Sequence, residues 1–364
     1  MVRVFVFSSI ILLCLVKSSK AAENGAEEEE EEDDVIFPIS VTIPMGIAMG
    51  ALILLAIVGN LLTILSFLKD KKLHTVYNIF ILNLAVTDLL IGCISMGIYS
   101  SYDISSYHWH FGYHFCKTWL VIDFTLCLES VLIMFILSID RLLLLKLGPM
   151  YTQKATNRKA YICIGLSWTV AFLLYSPAII GYDIWTGHNP VEDGDCDVPF
   201  VNDVVYTSVT AVFEFLVPLI GISIISIAIY IEIRKRILER NKARQQSHNN
   251  ENHASETKTR RDIRAAKFLA ALVLVFAVTW APYTICTVII SFSDHVYVTD
   301  NVYETLTWIN WSKASMNPFL YALNSARFRK NFRELLCCMS KCKNHNKVGQ
   351  GDLTVINRTE VLDP

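Results

Sequence analysis

The chain has 364 residues and a formal net charge of −2 at pH 7. Hydrophobic residues make up 53% of it and charged residues only 18%, and the mean hydropathy is +0.41. Soluble domains carry about 25% charged residues, so this composition excludes an ordinary soluble domain and indicates an integral membrane protein. We expect the lipid bilayer as its surroundings and no nucleic-acid partner.

The first residues have the layout of a secretory signal peptide. Arg3 precedes an apolar run, and small residues flank a cleavage point near Ala21. We predict a signal peptide over 1–21, the alternative being an uncleaved anchor. An unbroken acidic block follows that cannot bury apolar surface, so residues 22–40 are expected to form a disordered extracellular tail.

Seven apolar stretches follow, each long enough to cross a bilayer, which takes about 20 mainly apolar residues in a helix. The segments between them are too short for a second folded domain. We therefore predict an all-α membrane protein, a seven-transmembrane helix bundle over 41–323. The predicted spans are 43–68, 76–100, 115–145, 160–182, 204–231, 268–292 and 304–323.

The placement of Lys and Arg predicts the orientation of the bundle. The loops after the first, third and fifth spans carry clusters of these residues, and the longest of them covers 232–262. The three opposite loops carry acids and neither base. Because basic loops stay on the cytoplasmic side, we expect a plasma-membrane protein with an extracellular N-terminus and a cytoplasmic C-terminus.

Most of the ten cysteines lie within predicted spans or on the cytoplasmic side, where thiols stay reduced. Two of them differ. Cys116 begins the third span at its outer end, and Cys196 lies in an acidic outer loop. Because both face the oxidising side of the membrane, we predict a disulfide between them.

The segment after the last span alternates Arg or Lys with Phe over 324–337. This pattern predicts a short amphipathic eighth helix on the inner membrane surface. Cys337 and Cys338 at its end are candidates for palmitoylation, the alternative being unmodified thiols. Residues 338–364 are then the cytoplasmic tail.

Two carboxylates fall within the apolar spans, Asp123 in the third and Glu214 in the fifth. An ionised acid costs about 2.5–3.5 kcal/mol at the centre of a spanning helix, so residues of this kind mark functional sites. We take Lys313 as the only base within the spans, and one base cannot neutralise both acids. At least one carboxylate is therefore expected to bind an external cation, unless both pair with basic neighbours inside the bundle.

The spans also carry short motifs in a defined order. These motifs are Gly59-Asn60, Leu84-Ala85-Val86-Thr87-Asp88, Asp140-Arg141, Trp168, Pro218, Trp280-Ala281-Pro282-Tyr283 and Asn317-Pro318-Phe319-Leu320-Tyr321. In this combination the chain resembles the rhodopsin-like G-protein-coupled receptors across all seven spans. The resemblance implies a heterotrimeric G protein as partner.

Within that family, Asp123 follows Cys116 by seven residues, the position at which aminergic receptors carry the acid that binds a ligand ammonium. Phe213-Glu214-Phe215, Tyr303-Glu304-Thr305 and the paired Trp308 and Trp311 resemble the third and fourth histamine receptor subtypes. The resemblance implies histamine as the ligand and the inhibitory class of G protein. Another small amine is the open alternative.

The chemistry of histamine fits the same residues. A ligand with an ammonium and an imidazole needs a carboxylate, an acceptor for the ring N–H and aromatic walls. Asp123 can bind the ammonium, with Cys127 on the same helix face, and Glu214 can accept from the ring. The candidate aromatic walls are Tyr99, Trp280, Tyr283, Trp308 and Trp311, although aromatic residues in helices more often serve packing.

The resemblance also implies residues for activation and G-protein coupling. An ion pair between Arg141, near the inner end of the third span, and Asp262, ahead of the sixth, is expected to hold the inactive state. A ligand would then act by binding the open state more tightly. The full set is Asp88, Asp140, Arg141, Asp262, Asn317, Pro318 and Tyr321.

Several residues depart from the family pattern. Leu142 replaces the usual aromatic residue after Asp-Arg, Ser226 replaces a Tyr or Asn, and the second span lacks its outer proline. Lys313 stands where the family has a neutral Asn that lines a sodium site with Asp88 and Ser130. A permanent ammonium competes with sodium, so we predict no metal site.

Two other kinds of protein share some of these features. An opsin also carries a lysine in its last span, but its retinal-bearing lysine corresponds to Trp311, and Lys313 lies about 200° around the helix from it. A binding or decoy receptor that no longer activates a G protein is the second, because of Leu142 and Lys313. No nucleophile with a base and no phosphate-binding loop is present, so we expect neither an enzyme nor a cofactor.

Overall fold

The computed structural model describes residues 39–105, 107–187, 191, 194–200, 203–246, 253–292 and 300–348. Within these ranges the protein is built from eight long helices and short inner-loop helices. The predicted signal peptide, most of the acidic tail and the end of the cytoplasmic tail lie outside the described residues. The long helices are α1 (Ile39–Lys69), α2 (Val76–Ile104), α3 (Tyr113–Leu147), α4 (Asn157–Thr186), α5 (204–246), α6 (His253–Phe292), α7 (Asp300–Asn324) and α8 (Ala326–Val348).

The seven predicted spans correspond to α1 to α7, which confirms the fold class. Helices α1 to α6 are long and apolar enough to cross a membrane. Helix α7 has 25 residues but a more polar sequence, because one of its faces carries polar side chains that pack into the bundle. Its buried polar residues are Asn310, Ser312, Lys313, Ser315 and Asn317.

Side-chain caps and glycines mark where the helices begin and end. The hydroxyl of Thr75 accepts a hydrogen bond from the Asn78 N–H at the start of α2, and Asp203 caps α5 in the same way. Such residues satisfy N–H groups that have no partner within the helix. Gly187 ends α4 in the left-handed conformation, with φ of 68°, which glycine adopts without steric cost.

Helices α2 and α5 each contain one π-helical turn, Ile91–Ser95 and Val212–Leu216. The absence of a proline in the outer part of α2 left its bend in question. The π turn supplies an irregularity at that point without a proline, and turns of this kind are frequent at functional sites. In α5 the π turn includes Glu214, so the local backbone changes the direction in which this acid projects.

Helices α5, α6 and α8 are longer than predicted. Residues 232–262 were expected to form a loop, but α5 continues to Gln246 and α6 starts at His253. The segment is rich in Arg, Lys, Glu and Ala, which favour helix, and hydropathy reports where a helix leaves the membrane and not where it ends. Likewise α8 runs from Ala326 to Val348, past the predicted end at 337.

Helices α1 and α7 approach closely at a glycine. A Cβ atom added to Gly59 would lie 2.7 Å from Cγ of Pro318. Polar contacts hold the same interface, because the Asn60 side-chain amide donates to the Ala314 carbonyl over 3.0 Å and the Ser315 hydroxyl donates to the Leu52 carbonyl over 2.8 Å. Small residues at helix contacts are typical of membrane bundles.

We expect Gly59→Ala to destabilise the protein, because the methyl group overlaps the Pro318 ring and overpacking costs about 1–3 kcal/mol. The melting temperature of the detergent-purified protein measures this. Gly50→Ala in the same helix is the matched control, since nothing lies within 4 Å of the added atom. Equal melting temperatures for the two variants would show that the contact adapts without cost.

Candidate functional site

A cavity of about 160 Å³ opens at the outer end of the bundle. Residues from α2, α3, α6 and α7 line it, together with the outer loop that contains Cys196. Four residues predicted to bind ligand are on its wall: Asp123, Tyr99, Tyr283 and Trp311. The structure therefore brings half of the predicted ligand-binding set around one space.

Asp123 is buried in α3 with 8% of its surface exposed. Its Oδ1 accepts hydrogen bonds from the Trp311 indole N–H over 3.1 Å and from the Cys127 thiol over 3.7 Å. Both donors are uncharged, and Asp123 forms no ion pair with any residue in the described ranges. These contacts orient the carboxylate without neutralising it.

Glu214 is also 8% exposed, but it is not among the residues that line the cavity. Its Oε2 accepts a hydrogen bond from the Tyr175 hydroxyl of α4. Tyr175 packs against Phe124, next to Asp123 in sequence, with ring centroids 4.8 Å apart. The sequence predicted that both acids bind one ligand, whereas Asp123 lines the described cavity and Glu214 does not.

The predicted aromatic residues divide into two groups. Tyr99 lines the cavity and contacts Trp311 edge to face at 5.3 Å between centroids, while Tyr283 meets the Tyr303 hydroxyl over 3.3 Å. Trp308 packs edge-on against Trp311 at 5.7 Å and donates its N–H to a carboxylate of α2. Trp308 therefore packs behind Trp311 and does not itself line the cavity.

Several acids at the outer end were not among the predicted ligand-binding residues. Glu304 lines the cavity and its Oε1 accepts from the Tyr99 hydroxyl over 2.8 Å, and Asp103 accepts from the Trp308 indole over 2.8 Å. Asp195 and Asp197 of the loop also line it, and burial raises the pKa of Asp197 to about 6. Acids near helix ends usually face water, so their residue type alone did not predict a position at the cavity.

The outer loop is held over the cavity by the predicted disulfide. Cys116 and Cys196 are bonded, with 5.6 Å between their Cα atoms, and Cys196 itself lines the cavity. Nearby, the Lys117 ammonium pairs with Asp183 of α4 over 2.5 Å. The prediction that Lys313 is the only base within the spans is therefore wrong, because Lys117 lies in α3. Lys117, however, is already paired with Asp183.

Below the cavity, Asp88 lies in a polar contact between three helices. Its carboxylate accepts from the Asn317 amide over 2.7 Å and from the Ser130 hydroxyl over 3.4 Å. Glu129, on another face of α3, accepts from Asn83 over 2.8 Å and from Ser167 over 3.0 Å. Neither acid forms an ion pair with a described residue, so Lys313 pairs with neither of them.

Lys313 is 1% exposed, and its ammonium has no hydrogen-bond partner among the described residues. It lies 3.8 Å from the centroid of the Trp280 ring. A cation over an indole face is attracted by the ring quadrupole. Trp280 therefore contacts an internal cation and is not on the lining of the cavity.

At the inner end of α3, Arg141 pairs with the neighbouring Asp140 over 2.8 Å. Its guanidinium also lies 3.5 Å from the ring centroid of Tyr77, and the Tyr151 hydroxyl donates to Asp140 over 2.8 Å. The side chain of Asp262 lies outside the described residues, so its ion pair with Arg141 stays a prediction.

The remaining predicted residues lie on α7 and α8. Pro318 is inside α7, and Tyr321 is buried at its inner end with 1% exposed. Cys337 is exposed on α8, whereas the side chain of Cys338 lies outside the described residues. Palmitoylation at these positions stays a prediction.

Known proteins agree with this architecture. Residues 59–321 match the family model of the 7 transmembrane receptor (rhodopsin family). The chain belongs to this family. Among its relatives are the muscarinic acetylcholine receptor M3 of Pongo pygmaeus, 37% identical over 190 residues, and the histamine H4 receptor of Mus musculus, 26% identical over 372 residues.

The two relatives match different extents of this receptor. The muscarinic match covers 52% of the chain and 32% of the relative, so the chain spans about a third of the length of the muscarinic receptors it matches. The histamine match covers 83% of the chain and 94% of the relative. The H4 receptor is therefore similar over nearly its whole length, at lower identity.

The residues of this receptor do not fit the sodium ion that the family resemblance implies. Asp88 and Ser130 are present, but the Asn317 amide donates to one oxygen of Asp88, and Lys313 is buried on α7 four residues before Asn317. A second cation at this place would be repelled by the ammonium.

We expect sodium to leave the melting temperature of the purified receptor unchanged, compared with choline chloride at equal ionic strength. Lys313→Asn should gain stabilisation by sodium, because it removes the repelling ammonium and adds an oxygen ligand, and a bound ion stabilises the folded state. Stabilisation of the wild-type receptor by sodium over choline would contradict the prediction.

Proposed function

We propose that this protein is a G-protein-coupled receptor for a small biogenic amine, with histamine as the ligand. The observation that carries the proposal is the Asp123 carboxylate, which lines the outer cavity, is buried and has no cationic partner among the described residues. An ionised acid at such a site is costly unless a cation binds to it.

Aromatic contacts support an ammonium ligand. Tyr99, Trp311 and Tyr283 line the cavity around Asp123, and aromatic rings attract a cation by about 0.5–2 kcal/mol. The indole of Trp311 also holds the carboxylate in one orientation. A primary amine can donate to the carboxylate while its methylene groups contact the rings.

Glu214 is the reason to prefer histamine to other amines. Its carboxylate is buried and forms no ion pair with a described residue, and one of its oxygens accepts a hydrogen bond from the Tyr175 hydroxyl. An imidazole N–H can donate to the other oxygen, whereas acetylcholine, the ligand in the name of the muscarinic relatives, has no N–H to donate. The histamine H4 relative, similar over 94% of its length, supports the same preference.

Binding of radiolabelled histamine to membranes tests the two acids. Asp123→Asn should weaken binding by about tenfold to a hundredfold, since a hydrogen bond to a charged group contributes about 1.5–3 kcal/mol. Glu214→Gln should weaken it less, by about threefold to tenfold, because the amide oxygen still accepts.

Glu129→Gln is the matched control for these variants. It removes a buried acid of α3 that already has two hydrogen-bond donors and does not line the cavity, so histamine affinity should stay the same. Wild-type affinity in Asp123→Asn would refute the amine site. A neutral Glu214→Gln alone would leave the amine and refute histamine.

The proposed partner is a heterotrimeric G protein of the inhibitory class, bound at the cytoplasmic ends of the helices. We propose the same orientation that the charged loops predict, with an extracellular N-terminus and a cytoplasmic C-terminus in the plasma membrane. Arg141, held by Asp140 and Tyr77, supports this placement of the coupling site. A decoy receptor without coupling is the alternative that Leu142 and Lys313 motivate.

Histamine should accelerate nucleotide exchange by purified inhibitory G protein in membranes that contain the receptor. Arg141→Ala should abolish the acceleration while histamine still binds, because Arg141 does not line the cavity. Histamine binding without accelerated exchange in the wild-type receptor would favour the decoy.

A further inference from the structure

A second cavity, of about 150 Å³, lies at the outer end of the protein on the other side of the disulfide. Cys116 lines this second cavity, whereas its partner Cys196 lines the first one. The walls come from the loop between α2 and α3, the start of α3 and the outer loop that precedes α5. None of the residues that the sequence predicted to bind ligand lines this space, so it is a separate candidate site.

Hydrogen bonds and the disulfide fix the shape of the second cavity. The Trp109 N–H donates to the Gly194 carbonyl over 2.6 Å, which joins the α2–α3 loop to the outer loop. The Trp109 indole donates to the Gly112 carbonyl over 3.2 Å and packs against Trp119 with 5.7 Å between ring centroids. The two loops that form the walls are therefore held together without a ligand.

The second cavity has a net negative charge. Among the described residues that line it, the charged ones are Lys117, Asp195 and Asp197. The Lys117 ammonium is already neutralised, because it pairs with Asp183 over 2.5 Å and lies 4.8 Å from the centroid of the Tyr113 ring. Burial raises the pKa of Asp197 to about 6, which leaves this acid mostly ionised at neutral pH. Two carboxylates thus remain to be balanced.

Aromatic and apolar side chains complete the wall. Trp109 and Tyr113 line the cavity together with Val191 and Pro199. Carboxylates and aromatic faces both attract cations, and apolar side chains favour a ligand that also has a hydrocarbon body. The described residues form no group of three or more His, Cys, Asp or Glu side chains that could hold a metal ion. The lining therefore fits a small organic cation.

Asp195 and Asp197 line both cavities. They flank Cys196 in the sequence, so the disulfide holds the two acids between the two spaces. A cation in either cavity acts on the same carboxylates, and two cations bound together share these acids and repel each other. Binding in one cavity should therefore weaken binding in the other, and such a coupling is reciprocal.

We propose that the second cavity binds a small organic cation and that its occupancy weakens binding of the amine in the first cavity. The coupling rests on the proposed amine site at Asp123, whereas the second site itself does not. Couplings between sites usually change affinity by about 5- to 150-fold. We expect the lower end of this range, because Asp195 is exposed and salt screens exposed charges.

The rate at which radiolabelled histamine leaves the receptor tests the coupling. The receptor is loaded with the label and diluted until rebinding is negligible, and benzylamine or its neutral analogue benzyl alcohol is then added at equal ionic strength. Because the first cavity is already occupied, a change in the rate requires a second site. Benzylamine should accelerate dissociation about fivefold, and benzyl alcohol should leave the rate unchanged.

Two variants that each remove one carboxylate are matched. Asp195→Asn removes an acid that lines both cavities and should remove most of the acceleration by benzylamine. Asp203→Asn removes the same charge from the start of α5, lines neither cavity and keeps a capping side chain, so the acceleration should remain. A wild-type receptor without acceleration, or equal acceleration in the two variants, overturns the proposal.

A thermal measurement separates the second site from the proposed function. In Asp123→Asn the first cavity lacks its buried acid, but benzylamine should still raise the melting temperature relative to benzyl alcohol, because a bound ligand stabilises the folded state. Adding Tyr113→Ala, which removes an aromatic wall of the second cavity alone, should abolish this increase, and adding Tyr113→Phe should retain it.

The outcomes of the two experiments are distinct. No increase in the melting temperature of Asp123→Asn refutes the second site. A wild-type receptor that binds no histamine, while Asp123→Asn is stabilised by benzylamine, refutes the proposed function and supports the second site.

Discussion

The cost of placing charges away from water organises the inside of this receptor. A buried acid is costly unless it accepts hydrogen bonds or pairs with a cation, and the buried acids of this receptor differ in the donors they have. Asp88 and Glu129 each receive two hydrogen bonds from uncharged side chains of other helices. Asp123 receives its bonds from an indole and a thiol and faces a cavity. The kind of donor therefore separates the acids that join helices from the acid that faces the cavity.

Helix α7 connects these environments. Over two turns it presents Trp311 to the carboxylate at the cavity, Lys313 to the ring of Trp280 and Asn317 to Asp88. The three side chains belong to one rigid element, so a displacement at one of them is felt at the others. A ligand shifts such an element only by binding its two positions with different affinity. The charge at the centre of α7 is thus placed between the ligand site and the contacts that hold the helix.

Hydropathy and charge placement predicted the helices, their order and the disulfide because these follow from properties of whole segments. The positions and contacts of individual side chains were harder to predict from the sequence. A regular helix through the fifth span would aim Glu214 as its spacing to Pro218 suggests, but the π turn Val212–Leu216 alters that direction, and no residue type marks a π turn. Tyr175, which donates to Glu214, lies in an apolar stretch where tyrosine ordinarily serves packing. Which helix faces meet is decided by tertiary packing.

The similarity to relatives of different ligand chemistry has a physical explanation in the same residues. An acid such as Asp123 attracts any ammonium, quaternary or primary, so a site built on it alone does not select strongly among amines. Selectivity comes from groups that only some ligands satisfy, because an unsatisfied buried acceptor penalises the others. Glu214, the proposed acceptor of a ring N–H, is a group of this kind. Identity over shared helices thus indicates an amine, and a group such as Glu214 is where selection among amines is proposed to arise.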